Sequence, residues 1–109
     1  MPAMCNTTIV IFRKDRTGRQ ECFALFPELP ADVDGFYCTA YQTVGQHCSA
    51  DYFGCIAASD PASPDEYAAL LEELERRGYH LEVRRRATAV MHERRRALAM
   101  LWSERRKRA

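Results

Sequence analysis

The stretch Ser63-Pro64-Asp65-Glu66 constrains the fold of this chain more than any other. It combines a serine able to cap a helix, a proline at the first helical position and a glutamate that completes a capping box. Together these serve backbone N–H groups that a helix start leaves without partners. Tyr67, Leu70, Leu71 and Leu74 follow at helical spacing on one face. Glu72–Arg76 and Glu73–Arg77 add i,i+4 pairs in the better orientation, each worth about 0.2–0.5 kcal/mol. Gly78 supplies the stop. A helix with one apolar face must bury it, so the segments on either side have to provide the surface.

Those segments read mostly as strands. Thr8 to Arg13 is β-branched and aromatic, Lys14 to Arg19 is a turn built around Gly18, and Glu21 to Phe26 is the returning strand of a hairpin. Pro27 and Pro30 cannot donate to a ladder and predict an irregular stretch. Asp34-Gly35 marks a turn into a third strand, Phe36 to Tyr41. The polar run Gln42 to Asp51, with Gly45, reads as a loop, and Tyr52 to Ala57 as a fourth strand bulged at Gly54.

After the helix, Tyr79 to Arg84 alternates as a fifth strand with Leu81 and Val83 on one face. From Ala87 a final helix follows, its stripe of Val90, Met91, Leu98, Leu101 and Trp102 interrupted by Arg94. The order β-β-β-β-α-β-α predicts an α+β fold with a mainly antiparallel sheet of four to five strands. Residues 1–109 form one domain, with the basic helix 87–109 as part of it.

Charge divides the chain sharply. Between Gln20 and Glu75 there are eleven carboxylates and no lysine or arginine, whereas residues 84–109 carry ten basic and two acidic side chains. Net charge is only +1 because the two regions offset each other. Such asymmetry points to a charged partner or to self-association. The basic set is Arg84, Arg85, Arg86, Arg94, Arg95, Arg96, Arg105, Arg106, Lys107 and Arg108, candidates for contact with an acidic partner or with nucleic acid. No helix-turn-helix, zinc-finger or RNA-binding-sheet signature accompanies it. Consecutive arginines on a helix fan through about 200°, so each triplet cannot form one narrow stripe.

No apolar run approaches the roughly 20 residues a membrane span requires. The start lacks the basic region and long apolar stretch of a secretory signal, so a cytoplasmic location is expected. The five cysteines cannot all pair and are expected as free thiols. No cofactor is implied and no catalytic residue is assigned. His47, Cys48, Cys38 and Cys55 lack the close ligand spacing of a zinc site, so no metal is assigned. Cys48 beside His47, near Asp51, has the residue types of an activated thiolate, but neighbours in an extended chain point apart.

Ile9-Val-Ile-Phe-Arg-Lys14, Ala24-Leu-Phe-Pro-Glu-Leu-Pro-Ala31 and Tyr41-Gln-Thr-Val-Gly-Gln-His47 carry a resemblance. So do Ala50-Asp51-Tyr52 and the helix start from Pro61 to Tyr67. The chain resembles, over residues 8–96, a family of short bacterial proteins encoded on phages, plasmids and integrated mobile elements. It departs from that pattern at Cys48, where a glycine is expected, and in the basic extension beyond Leu98. The resemblance implies a genomic setting in which small proteins often block host defence machinery, an anti-CRISPR-type inhibitor among them.

The expectation is therefore a small non-enzymatic accessory protein that binds a macromolecule. A protein partner is expected at an acidic face and loop comprising Asp32, Asp34, Gln46, His47 and Asp51, set against the basic groove of a nucleic-acid-handling complex. The alternatives are nucleic-acid binding through the arginine-rich helix, and a metal or thiol centre at His47 and Cys48. An exposed Leu98, Leu101 and Trp102 would also suit a homodimer through the final helix.

Overall fold

The structure, a computed structural model, describes residues 7–16, 21–42 and 46–108; the side chains of Gln46, Lys107 and Arg108 fall outside that description. The turn expected around Gly18 and the glycine at 45 lie outside the described residues. The fold is α+β, as expected. Strands β1 (Thr7–Asp15), β2 (Cys22–Pro30), β3 (Cys38–Gln42) and β4 (Gln46–Ala50) are followed by helix α1 (Tyr52–Ala57) and strand β5 (Ser59–Pro61). Helix α2 (Pro64–Arg76), strand β6 (His80–Val83) and helix α3 (Ala89–Arg108) complete the order.

The six strands form one sheet in the order β4-β3-β2-β1-β5, with β6 also on β1. Every pairing is antiparallel except β6 with β1. The β1–β2 register sets Ile11 opposite Leu25 and Lys14 opposite Cys22. The free edge of β1 is shared: β6 pairs with Thr7 to Val10 and β5 with Arg13 to Asp15.

Alternation along the strands sends successive side chains to opposite faces, and both faces are covered. Val10, Phe12, Ala24, Phe26 and Tyr41 pack with Leu70 and Leu74 of α2. Ile11, Leu25, Cys38, Ala40 and Ala50 pack with Tyr52 of α1 on the other side. Burial on both faces explains the unbroken apolar run from Ile9 to Phe12. Helix α3 lies on the α1 side, where the Tyr52 ring meets His92 at 4.9 Å.

Helix α2 starts as the sequence requires. Glu66 Oε1 accepts the Ser63 N–H at 2.9 Å, and Glu66 Oε2 accepts from Lys14 Nζ at 2.6 Å. Those two interactions, Lys14 first, hold the Glu66 carboxyl down to about 2. At the other end Gly78 adopts φ +103°, a conformation that stops the helix and favours glycine.

Four expectations need correction. Tyr52 to Ala57 is the helix α1, not a strand, and it begins after Asp51 in an extended N-cap conformation. Gln46 to Ala50, expected within a loop, is the edge strand β4, and its polar character suits a strand paired on one side only. Strand β2 continues through both prolines to Pro30, with a register shift against β3 between Phe26 and Pro30. The shift lets residues without an N–H sit in the strand. The inward stripe of α3 is Met91, Arg95 and Ala99, while Val90, Leu101 and Trp102 stay exposed. No helix among the described residues is long and apolar enough to cross a membrane.

Candidate interaction surface on the last helix

Arg95 anchors α3 to the body. It is 1% exposed, and no carboxylate among the described residues pairs with it. Backbone carbonyls take that place. Nη1 donates to Pro27 O at 2.7 Å, Nε to Gly35 O at 2.8 Å and Nη2 to Phe36 O at 3.3 Å. The planar fork can reach three carbonyls at once, which a lysine could not. Nη1 also lies 2.8 Å from His92 Nδ1, which therefore accepts from it. Burial, then Arg95 and Arg96, push the His92 imidazole below its ordinary range, in keeping with a neutral ring.

The segment between β2 and β3 is thereby folded beneath the helix. Ala31 N–H donates to Tyr37 O at 2.9 Å, and the Tyr37 N–H donates to Asp32 Oδ1 at 3.0 Å. Gly35 turns the chain at φ +71°, and a Cβ there would lie 2.8 Å from Arg96 Cα. Only glycine fits both the conformation and the approach.

Beyond Ala99 no described side chain of α3 is buried. Met100, Leu101 and Trp102 are 65%, 47% and 41% exposed, and Val33, Phe36 and Tyr37 of the neighbouring loop are exposed as well. Trp102, Arg106, Asp32 and Val33 line one shallow cavity of about 200 Å³, which joins the helix and the loop into a single surface. Trp102 and Arg106 in its wall are of the residue types enriched in protein interfaces.

The opposite charges of the chain are only partly matched within it. Arg94 meets Glu28 at 3.1 Å, joining α3 to the acidic body, and Arg84 pairs with Glu82. Among the described residues no carboxylate pairs with Arg85, Arg86, Arg96, Arg105 or Arg106, all of which are exposed. Arg94 and Arg96 leave α3 about 100° to either side of Arg95. The triplet therefore contributes one buried anchor and two diverging surface charges, not a basic stripe.

The five residues expected to form an acidic face are dispersed. Asp32 and Asp34 belong to the loop under α3, and Asp51 precedes α1. His47 lies on the α2 side, with Nε2 2.8 Å from Tyr79 Oη and its ring edge-on to Tyr41 at 4.8 Å. Tyr41, completely buried, donates to Glu73, and Arg77 sits 5.3 Å above its ring. These contacts fix the end of α2 to β3. The side chain of Gln46 is outside the described set.

Cys48 faces the α1 side with Cys38 and Cys55, so His47 and Cys48 point to opposite faces of β4 and form no nucleophile–base pair. Burial pushes the Cys38 thiol up to about 11 and raises Cys55 as well. No group of three or more His, Cys, Asp or Glu among the described residues is arranged to hold a metal ion.

Sequence reasoning missed Arg95 as an anchor and Val33, Phe36 and Tyr37 as surface. No local signal marked the pair: aromatics directly after an Asp-Gly turn read as strand, but β3 begins only at Cys38 and leaves Phe36 and Tyr37 outside it. Compared with protein families, curated proteins and solved structures, the chain matches none.

Proposed function

We propose that this chain is a small binding protein, and that the outer half of α3 with the loop beneath it engages a protein partner. The observation that supports this reading is the surface that Trp102 and Val33 share in one cavity, exposed on an anchored helix, with Arg106, which has no carboxylate partner among the described residues, in its wall. An apolar centre rimmed by arginine suits a protein with a hydrophobic cleft and carboxylates at its edge. Anchoring by Arg95 holds the surface in one geometry before binding, which lowers the ordering cost.

In the setting that the resemblance to mobile-element proteins implies, the partner would be a subunit of a host nucleic-acid-handling defence complex, blocked in the manner of an anti-CRISPR-type inhibitor. Nucleic acid itself is the second reading, favoured by the exposed, unpaired arginines. It is the weaker one, because Arg95 is withdrawn from the surface and Arg94 is committed to Glu28.

Capture from nuclease-treated host lysate tests the choice. A stoichiometric protein retained by the wild-type chain and lost with Trp102→Glu supports the protein reading. Loss of every partner on nuclease treatment, with binding to oligonucleotides that weakens steeply with salt, contradicts it. Light scattering that shows a dimer abolished by Trp102→Glu would make the partner a second copy.

A further inference from the structure

We infer that the notch between β5 and β6 is a binding site for a small phosphorylated ligand with a flat organic group, of the nucleoside monophosphate class. It lies apart from the α3 surface and does not depend on that reading.

Topology creates the notch. β5 runs antiparallel to β1 and ends at Pro61 opposite Arg13, whereas β6 runs parallel and ends at Val83 opposite Val10. Their carboxyl ends therefore approach each other along one edge of β1 and stop on either side of Ile11 and Phe12. From there the chain departs to opposite faces, through Ala62 to α2 and through Arg84 to Arg86 to α3.

Two cavities meet in this notch, sharing Pro61 and Arg85. The one on the α1 side, about 490 Å³, is lined by Arg13, Tyr52, Ile56, Pro61, Arg85 and Arg86. The other, about 450 Å³, includes Phe12, Tyr67, Val83 and Arg84 in its wall. Both are of the size that holds small organic ligands, about 300–1,000 Å³.

Arg13 is the decisive group. It is 7% exposed, with Nε donating to Ser59 Oγ at 2.9 Å and Nη2 to Ser59 O at 2.6 Å and Ile56 O at 3.1 Å. Nη1 has no partner among the described residues. It is not sealed away either, since no fully buried side-chain nitrogen or oxygen there lacks a partner. A nearly buried guanidinium with one nitrogen uncommitted thus lines the same cavity as Arg85 and Arg86, which are exposed and have no carboxylate partner among the described residues. Three arginines in the wall of one cavity supply donors of the kind that a phosphomonoester dianion accepts from.

Acidic groups near the notch are already engaged. Asp60 accepts from Arg16 Nη2 at 3.2 Å, Glu66 from Lys14, and Glu82 from Arg84. Asp65, exposed at the start of α2, is the one of these without an ion pair among the described residues. In the second cavity the Phe12 and Tyr67 rings stack at 4.3 Å, and with Pro61 and Val83 they offer an apolar wall to a flat ring. The phosphate would sit on the α1 side and the ring on the α2 side, bridging at Arg85.

Calorimetric titration of the full chain with adenosine 5′-monophosphate, inorganic phosphate and adenosine tests this. The nucleotide should saturate one site and bind at least about tenfold more tightly than phosphate or adenosine, since each lacks half of the contacts. Arg85→Ala/Arg86→Ala, at two exposed positions, should weaken it by about tenfold or more while circular dichroism is unchanged. Arg105→Ala/Arg106→Ala should leave it intact. The inference is overturned by absence of saturable nucleotide binding, by wild-type affinity in the 85/86 variant, or by an equal loss in the 105/106 variant.

Discussion

Arg95 donates from Nε to the carbonyl of Gly35 at 2.8 Å, and Gly35 in turn lies against the backbone of the helix that carries Arg95. One side chain and one missing side chain thus join α3 to the loop after β2. Replacing Arg95 by methionine keeps the volume but leaves the carbonyls of Pro27, Gly35 and Phe36 without their donor. A loss of about 2–4 kcal/mol is expected in urea unfolding. Arg95→Lys should recover only a minor part, for want of the fork. Arg96→Met, at an exposed position, should change stability by under about 0.5 kcal/mol.

The two positive-φ glycines separate conformational strain from crowding. At Gly78 nothing lies within 4 Å of a built Cβ, so Gly78→Ala carries only strain, about 1–2 kcal/mol. At Gly35 the same change adds contacts of 2.8 Å with Arg96 Cα and 3.1 Å with Ala99 Cβ. Denaturation should therefore show Gly35→Ala the more damaging by about 1 kcal/mol or more.

Stability should fall on mild acidification because of His92. Its folded-state pKa is lowered by burial and by Arg95 and Arg96, while in the unfolded chain a histidine titrates near about 6.5. Between those values the unfolded chain binds more protons, so the contribution is full above the unfolded value and is lost as pH falls towards the folded one. Thermal melts from pH 7.5 to 5 should show that decline. His92→Gln should flatten it, which a merely structural contribution of the ring would not do.

Cysteine labelling should follow burial. Cys38 is completely buried and its thiol is pushed up to about 11, whereas Cys22 and Cys48 are only half-buried. In a time course read by mass spectrometry, Cys38 should be the slowest of Cys22, Cys38, Cys48 and Cys55. Its labelling should accelerate in step with unfolding when urea is added.

Legibility in the sequence followed locality. The helix α2 was readable because Ser63, Pro64 and Glu66 specify its start by themselves, and β1 because its β-branched run has no other good solution. The chain at 52–57 was misread for the opposite reason. Tyr52, Phe53 and Ile56 favour a strand locally, but the chain must turn back there so that Ser59 can pair beside Asp15. The polar residues of β4 hid a strand because an edge needs little apolar character. The surface on α3 was half visible. Leu101 and Trp102 stand out in the sequence as part of an apolar stripe, whereas Arg95 looks like surface charge, since burial against carbonyls leaves no mark in a sequence.

A protein partner docked on the outer half of α3, as proposed, should be captured by site-specific photo-crosslinking. A benzophenone amino acid would replace Trp102 in one sample and Glu75, exposed on α2, in another. After irradiation in host cells, position 102 should give one discrete protein adduct and position 75 none. Equal adducts from both positions, or none from either, would contradict that docking.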